Sequence, residues 1–334
     1  MKKIYILFAI IVFSGSVLKA QEKEEFKPSG SPNAKIFFNF HHDLDETSAF
    51  DLQRAYLGYK YNMSENFTGS ILMDVGSPEI SVNDSTKAKT TQEFTAFLKN
   101  AYIMYKKDKL AIDAGMIGLK QMSQQEAYWG HRYVYKSFLD YSKMGTTADL
   151  GASVEYKVID MLSLDFTVRN GEGYKVMQSD NAYRSSLGWT LSPVKGLCIR
   201  GVYDYLEKAE AQVTIAHFVG YKNDKVSVGG EYNYQTNSGN KKDQTLSGFS
   251  VYGSYNITKV VQAFGRFDKL TSVKVNGATD NWNKNNDGSL IIAGVQYKPI
   301  KNLDIALNYQ GWLSDSDKED SDKNYIYLNM QISF

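Results

Sequence analysis

The sequence predicts an all-β fold: a transmembrane, antiparallel, up-and-down β-barrel of about 16 strands with its third outer loop folded inward. Three observations predict it. The chain ends on a segment in which Ile326, Leu328, Met330, Ile332 and Phe334 fall on one side and Tyr327, Asn329, Gln331 and Ser333 on the other. A strand has a period of two residues, so one face is apolar and the other wet. The same alternation recurs along the chain, next to an export signal. The connections between the alternating segments are in turn short and long, which sorts them to two ends of a barrel.

The N-terminus supplies the export signal. Met1-Lys2-Lys3 is a basic start, Ile4 to Phe13 an unbroken apolar run, and Ser14 to Ala20 a small-residue stretch. Residues 1–20 read as a cleaved signal peptide, because the run is too short to span a bilayer as a helix. Residues 21–33 are charged and contain Pro and Gly, and read as a periplasmic tail; 34–334 read as the barrel. No later segment is apolar for 18 residues, so a membrane-spanning helix is not expected. The single cysteine, Cys198, forbids an intrachain disulfide. Without Lys2, Lys3 and Lys19 the chain holds 35 basic and 37 acidic residues, which gives no basic stripe for nucleic acid.

Alternation predicts strands near 34–43, 50–61, 67–75, 94–106, 109–117, 145–157, 161–169 and 183–192. The second half predicts 197–206, 210–221, 225–234, 245–257, 260–269, 289–298, 302–313 and 323–334. Short connections at 62–66, 106–109, 158–161, 192–196, 222–225, 257–259 and 298–302 are rich in Lys, Asn, Asp and Pro. Longer ones fall at 76–93, 118–144, 170–182, 235–244, 270–288 and 314–322. Short turns belong to the periplasmic end and long loops to the exterior.

Parity then assigns the faces. Leu162, Leu164, Phe166 and Val168 face lipid, which turns Asp165, Thr167 and Arg169 inward. By the same rule Arg184, Arg200, Asp204, Glu231, Arg266, Asp268 and Asp304 line the interior, as do Arg54, Lys60, Asp74, Asp113, Asp149, Glu155 and Lys157. The reverse placement is excluded on energy, since Arg or Lys facing lipid at midplane costs ~2–4 kcal/mol each. The segment 94–106 is ambiguous, because Lys99 and Asn100 are adjacent and both parities hold apolar residues. About sixteen strands enclose a water-filled hole rather than a packed core.

The longest connection, 118–144, is rich in aromatics. Folded inward it would bury Tyr128, Trp129, Tyr133, Tyr135 and Phe138 and turn Glu126, His131, Arg132, Lys136 and Asp140 toward water, forming a constriction loop. Ser123 to Tyr128 reads as a short helix with Ser123 as N-cap and Glu126 at N3. These features together, with Trp129-Gly130-His131-Arg132 in the loop and Asp149-Leu150-Gly151-Ala152 in the strand after it, resemble the phosphate-selective-porin-like family of Gram-negative outer membranes. The resemblance implies an outer-membrane porin that passes ions and small hydrophilic solutes. It also implies contact with outer-membrane lipid and lipopolysaccharide, and a homotrimer as the assembly to test. Phosphate selectivity would need a dominantly basic constriction, whereas acids and bases are balanced here. The expected pore is therefore of mixed charge, with opposed Arg and Asp/Glu clusters producing a transverse field.

Other signals carry less. His41, His42, His131 and His217 pair in sequence with no serine and carboxylate, so no catalytic residue, enzyme activity or cofactor is expected. Asn283-x-Asn285-x-Asp287-Gly288 starts like a calcium loop, but the twelfth position is Gly294, so no metal site is assigned. Asp315, Asp317, Glu319, Asp320 and Asp322 form a second acidic loop. The alternative function is an adhesin or structural barrel with partner-binding outer loops, discriminated by whether 118–144 folds in or projects.

Overall fold

The computed structural model describes residues 26–44, 47–76, 94–317 and 321–334. The predicted signal peptide, residues 21–25 of the predicted tail, most of the connection 76–93, and Glu319 and Asp320 lie outside them. The described chain forms sixteen strands. The first eight are β1 (Ser29–Asp43), β2 (Ser48–Asn62), β3 (Phe67–Gly76), β4 (Thr95–Lys107), β5 (Leu110–Gly118), β6 (Ala148–Ile159), β7 (Leu162–Arg169) and β8 (Arg184–Leu191). The rest are β9 (Leu197–Leu206), β10 (Gln212–Lys222), β11 (Val226–Thr236), β12 (Leu246–Asn256), β13 (Val261–Ser272), β14 (Gly288–Ile300), β15 (Leu303–Ser314) and β16 (Lys323–Ser333). Each pairs with its sequence neighbours, and β1 pairs antiparallel with β16 from Lys35↔Ser333 to Asp43↔Tyr325, closing the barrel. Closure leaves no edge strand with unpaired N–H and C=O groups, which lipid would not solvate. No helix of the described residues is long and apolar enough to cross a membrane.

The predicted strand set is the observed one, with two informative departures. β1 starts at Ser29, five positions before the expected boundary, so Ser29–Asn33 belong to a strand and not to the predicted tail 21–33. These residues pair with Asn62 to Gly58 of β2, beyond the reach of β16. They satisfy backbone groups at the end of β2 that an early stop would leave open. The second departure resolves the ambiguous segment. Opposite β3, Leu72 pairs with Asn100 but Met73 pairs with Leu98, so Lys99 is the extra residue of a β-bulge. The bulge switches parity: Leu98 and Ile103, five residues apart, are both exposed on the outer face.

Elsewhere the period of two holds. Leu164, Phe166 and Val168 are 39–46 % exposed, while Asp165, Thr167 and Arg169 are at most 8 % exposed. On β16, Ile326 is exposed and Asn329 is fully buried. Exposed Tyr59, Tyr156, Tyr221, Tyr255 and Tyr297 sit on the outer face near the short-turn ends, where an aromatic girdle belongs.

Candidate functional site

The connection from Gly118 to Ala148 contains two helices, α1 (Lys120–Trp129) and α2 (Phe138–Tyr141). α1 begins three residues before the expected Ser123 start, after Leu119 and without a side-chain cap. The capping box is not formed: Ser123 Oγ donates to the Lys120 carbonyl at 3.0 Å, and Glu126 accepts from Arg132 Nε at 2.9 Å. Wall contacts thus replace local capping in placing this helix. α1 lies against β10, β11 and β12. Gln125 Nε2 donates to Glu231, and Tyr252 OH donates to the Gln125 carbonyl at 3.2 Å. At the helix end Tyr128 OH donates to Gly196 O at 3.0 Å and Ser227 Oγ donates to Tyr128 O at 2.7 Å. Gly196 and Ser227 adjoin the short turns, so the segment runs from the long-loop end of β5 to the opposite end of the barrel. Gly130 ends the helix at φ 71°, the left-handed region that favours glycine, and its N–H closes on the Glu126 carbonyl.

The return path is aromatic. Trp129 packs edge-on against Tyr252 and Phe264, with ring centroids 5.6 and 6.1 Å away, and donates its indole N–H to Tyr135 O at 3.0 Å. His131 stacks on Phe264 at 4.2 Å, and its Nδ1 lies 2.8 Å from Trp129 O. Burial pushes this imidazole down to about 4, against a gain from that backbone bond. His131 is therefore 2 % exposed and neutral rather than facing water as expected. Tyr133 OH donates to Gln296 at 2.8 Å, and Asn329 donates to Tyr133 O at 3.3 Å. Arg266 donates to Lys136 O at 2.6 Å and lies 5.2 Å from the Trp129 ring. Phe138, Leu139 and Met144 then pack with Ala216, Leu246 and Leu270. Gly248 makes room: a Cβ there would come 2.4 Å from Phe138 Cζ.

Trp129, like His131, is buried against the wall, whereas Arg132, Glu126, Asp140 and Lys136 stay half-buried. Arg132 bridges Glu126 at 2.9 Å and Asp140 at 3.2 Å, bracing the loop across itself.

The interior charges on the wall are paired rather than opposed. Arg200 holds Asp165 through two bonds of 2.6 and 2.8 Å and also reaches Thr190 and Gln121. Arg169 and Arg184 share Asp204, and Arg169 lies 3.7 Å from Asp149. Arg266 clasps Asp268, and Arg54 binds Asp74 at 3.0 Å. Lys120 meets Glu155 at 2.5 Å and Lys298 meets Asp304 at 2.9 Å. Asp113 accepts from Ser153, and Lys60 is exposed at the short-turn end. The expected separation into opposed clusters is thus not the arrangement found. Charges drawn out of bulk water recover solvation by direct, bidentate pairing with the nearest opposite charge.

The pairing between β7 and β9 had a signal in the sequence. Asp165-x3-Arg169 on one strand meets Arg200-x3-Asp204 two strands away, each pair separated by 35 positions. Gly188 on the strand between allows it, since a Cβ there would lie 2.5 Å from Asp165. Other residues were missed. Lys99, the bulge residue, donates to Tyr56 OH at 3.3 Å and covers the Tyr56 ring. Tyr174, from the connection 170–182, donates to Asp74 at 2.5 Å. No local pattern distinguishes that tyrosine from one in a solvated loop.

Two cavities flank the loop and a third lies away from it. One of about 650 Å³ is bordered by Asn39, Arg54, Arg132, Tyr135, Lys136 and Tyr327. A second of about 240 Å³ shares Arg54, Arg132 and Lys136 and adds Asp140, Tyr174 and Lys175. The third, about 470 Å³, lies at the short-turn end between Lys106, Asp113, Glu155 and Lys157.

His42 Nδ1 lies 2.9 Å from Ser48 Oγ, and His41 Nδ1 lies 3.0 Å from Asp51. The two contacts use different imidazoles, so they form no serine–histidine–carboxylate chain. Asp287 of the calcium-like segment is buried and accepts from Ser272 Oγ.

Solved structures share the architecture. OmpF of Salmonella typhi, in a complex with daunomycin, matches with TM-score 0.67 at 14 % identity over 91 % of this chain and 97 % of that one. An anion-selective porin from Comamonas acidovorans matches with TM-score 0.64 at 9 % identity over 92 % and 100 %. The outer membrane channel DcaP of Acinetobacter baumannii matches with TM-score 0.62 at 12 % identity over 93 % and 99 %. At these identities the likeness establishes the fold. No protein-family model matches the chain, and neither does any curated protein sequence.

Proposed function

We propose that this chain is an outer-membrane porin through which ions and small hydrophilic solutes diffuse passively. Residues 1–20 direct export, the barrel sits in the outer membrane of a Gram-negative bacterium, and loop 118–144 folds inward and narrows the lumen. The observation that carries the reading is an asymmetry of burial. Inward residues of β9 to β15 such as Asn233, Ser250, Ile292 and Ala306 are at most 1 % exposed, covered by the loop. Inward residues of β2 to β6 are buried toward the long-loop end, as at Arg54, Asp74 and Asp149, but Lys60, Asp113, Ser153 and Glu155, nearer the short turns, stay part-exposed or exposed. A barrel filled on one side and wet on the other conducts along the wet side. Contact of Trp129 and Tyr133 with the wall favours a pore over an adhesin that projects this loop outward. Arg54, Arg132, Lys136, Asp140, Asp113 and Glu155 border the water, a mixed-charge lining. Catalysis, a cofactor and a metal form no part of this function.

Single-channel recording in planar bilayers, with sugars of increasing size added, tests it. Stable conductance blocked by sugars below a sharp size limit is expected. A folded barrel that carries no current would overturn the pore, and a conductance unchanged by removing residues 120–141 would overturn the constriction.

A further inference from the structure

We propose that the short-turn end of the barrel is a docking surface for anionic phospholipid headgroups, formed by a collar of lysines. It rests on the reading above only in taking this end as periplasmic. The connections 62–66, 106–109, 157–161, 192–196, 222–225, 256–260 and 298–302 carry ten lysines and four carboxylates. At the other end the described parts of 170–183, 207–211, 237–245, 273–287 and 315–322 carry ten carboxylates and six lysines. One chain therefore presents opposite signs at its two ends. All ten collar lysines are exposed, and two of them are ion-paired, Lys157 with Asp160 and Lys298 with Asp304.

Turn geometry does not demand lysine. The left-handed positions are filled by Asp108, Gly196 and Asn302, with φ of 51°, 87° and 70°. What recurs instead is a dipeptide: Tyr59-Lys60, Tyr105-Lys106, Tyr156-Lys157, Tyr221-Lys222 and Tyr297-Lys298 close β2, β4, β6, β10 and β14. Each tyrosine is on the outer face, and tyrosine marks the boundary between hydrocarbon and headgroups. The lysine of each dipeptide follows on the lumen side, as Lys222 shows by donating to Ala127 O at 3.1 Å. The tyrosines thus set the boundary depth, and the exposed lysines of the adjoining turns, Lys107, Lys109, Lys195, Lys225, Lys259 and Lys301, form the collar beside it. The turns between these strands hold two to five residues, too few to carry the charges far into the periplasm. This depth favours a lipid over a periplasmic polymer, and lysines at a membrane surface attract anionic lipid.

The full chain in a zwitterionic detergent, titrated with phosphatidylglycerol or phosphatidylethanolamine and read by native mass spectrometry, tests the collar. A variant with Lys107, Lys109, Lys195, Lys225, Lys259 and Lys301 each changed to Gln is run beside it, its folding checked by the electrophoretic mobility of the unheated barrel. At about fivefold per lysine near the surface, the native chain should prefer phosphatidylglycerol by at least roughly tenfold, less in salt, and the variant by no more than roughly twofold. Equal binding of both lipids, or a preference the folded variant keeps, overturns the proposal. So does lysine-dependent capture of peptidoglycan fragments with no lipid preference. Bilayer conductance of the same samples separates the two readings: a lipid preference on a barrel without current sinks the pore and leaves the collar standing.

Discussion

The wall from β9 to β15 and the wall from β2 to β6 have the same strand chemistry and opposite fates. Both alternate apolar and polar residues, and both carry inward acids and bases. On the first, loop 118–144 turns the inward face into a core: Phe218, Tyr252, Phe264 and Ile292 cluster with Trp129 and Tyr133, and Arg266 is 4 % exposed. On the second, Arg54, Tyr56, Asp74 and Asp149 are buried toward the long-loop end, but the inward face stays wet toward the short-turn end, where Lys60 and Lys106 are exposed. An inward charge is thus structural or available to solute according to what lies over it, not according to its residue type.

The largest expected effect is on the covered side. Trp129→Ala removes the ring that fills the space between Tyr252 and Phe264. It should cost about 3–5 kcal/mol of loop packing. The thermal midpoint should fall and single-channel conductance and sugar cut-off should rise; an unchanged cut-off would separate the loop from the narrowing. Asp165→Asn strands a buried guanidinium and should destabilise by a similar ~3–5 kcal/mol, while the double change Asp165→Leu with Arg200→Met should be far milder. Denaturation midpoints of the three variants give the comparison, and ion selectivity should not move, because Arg200 is 2 % exposed.

Gly248→Ala pushes a methyl group into Phe138 and should cost about 1–3 kcal/mol, seen as a lower thermal midpoint. A pH effect comes next. The pKa of His131 is held near 4 when folded, against its ordinary 6.5. The folded loop therefore binds fewer protons between those values. Its contribution to stability is complete above about pH 6.5 and is lost as pH falls toward 4. His131→Phe should flatten that part of the melting profile; an identical slope in the variant would assign the acid sensitivity elsewhere. The smallest stability effect belongs to the wet side. Lys143→Gln, on an exposed residue bordering the 240 Å³ cavity, should change stability by under ~0.5 kcal/mol. It should nonetheless shift the reversal potential in a salt gradient toward cations.

How much was legible follows from the range of each interaction. Strand positions and faces were readable because a period of two is a local property, and one wrong parity would put several charges into lipid. The bulge at Lys99 was readable only as a conflict, since two adjacent inward residues look the same as a weak strand. The aromatic content of 118–144 marked it as a segment needing cover, yet its helix start, the burial of His131 and the partners Tyr252, Gln296 and Asn329 depend on residues 100 or more positions away. The ion pairs failed to form opposed clusters for a similar reason: sequence gives the sign of each charge but not the nearest one.

Alternation and turn spacing by themselves determined the sixteen strands, their order and which side of each faces outward, because these are set by neighbours along the chain and by the cost of misplacing a charge. Only the tertiary structure decided that β1 closes on β16 at Lys35↔Ser333, that the loop packs against β10 to β12, and which arginine holds which aspartate. Those outcomes are settled by volume and by charge proximity in three dimensions, and Gly188 and Gly248 admit them only once the far partner has arrived.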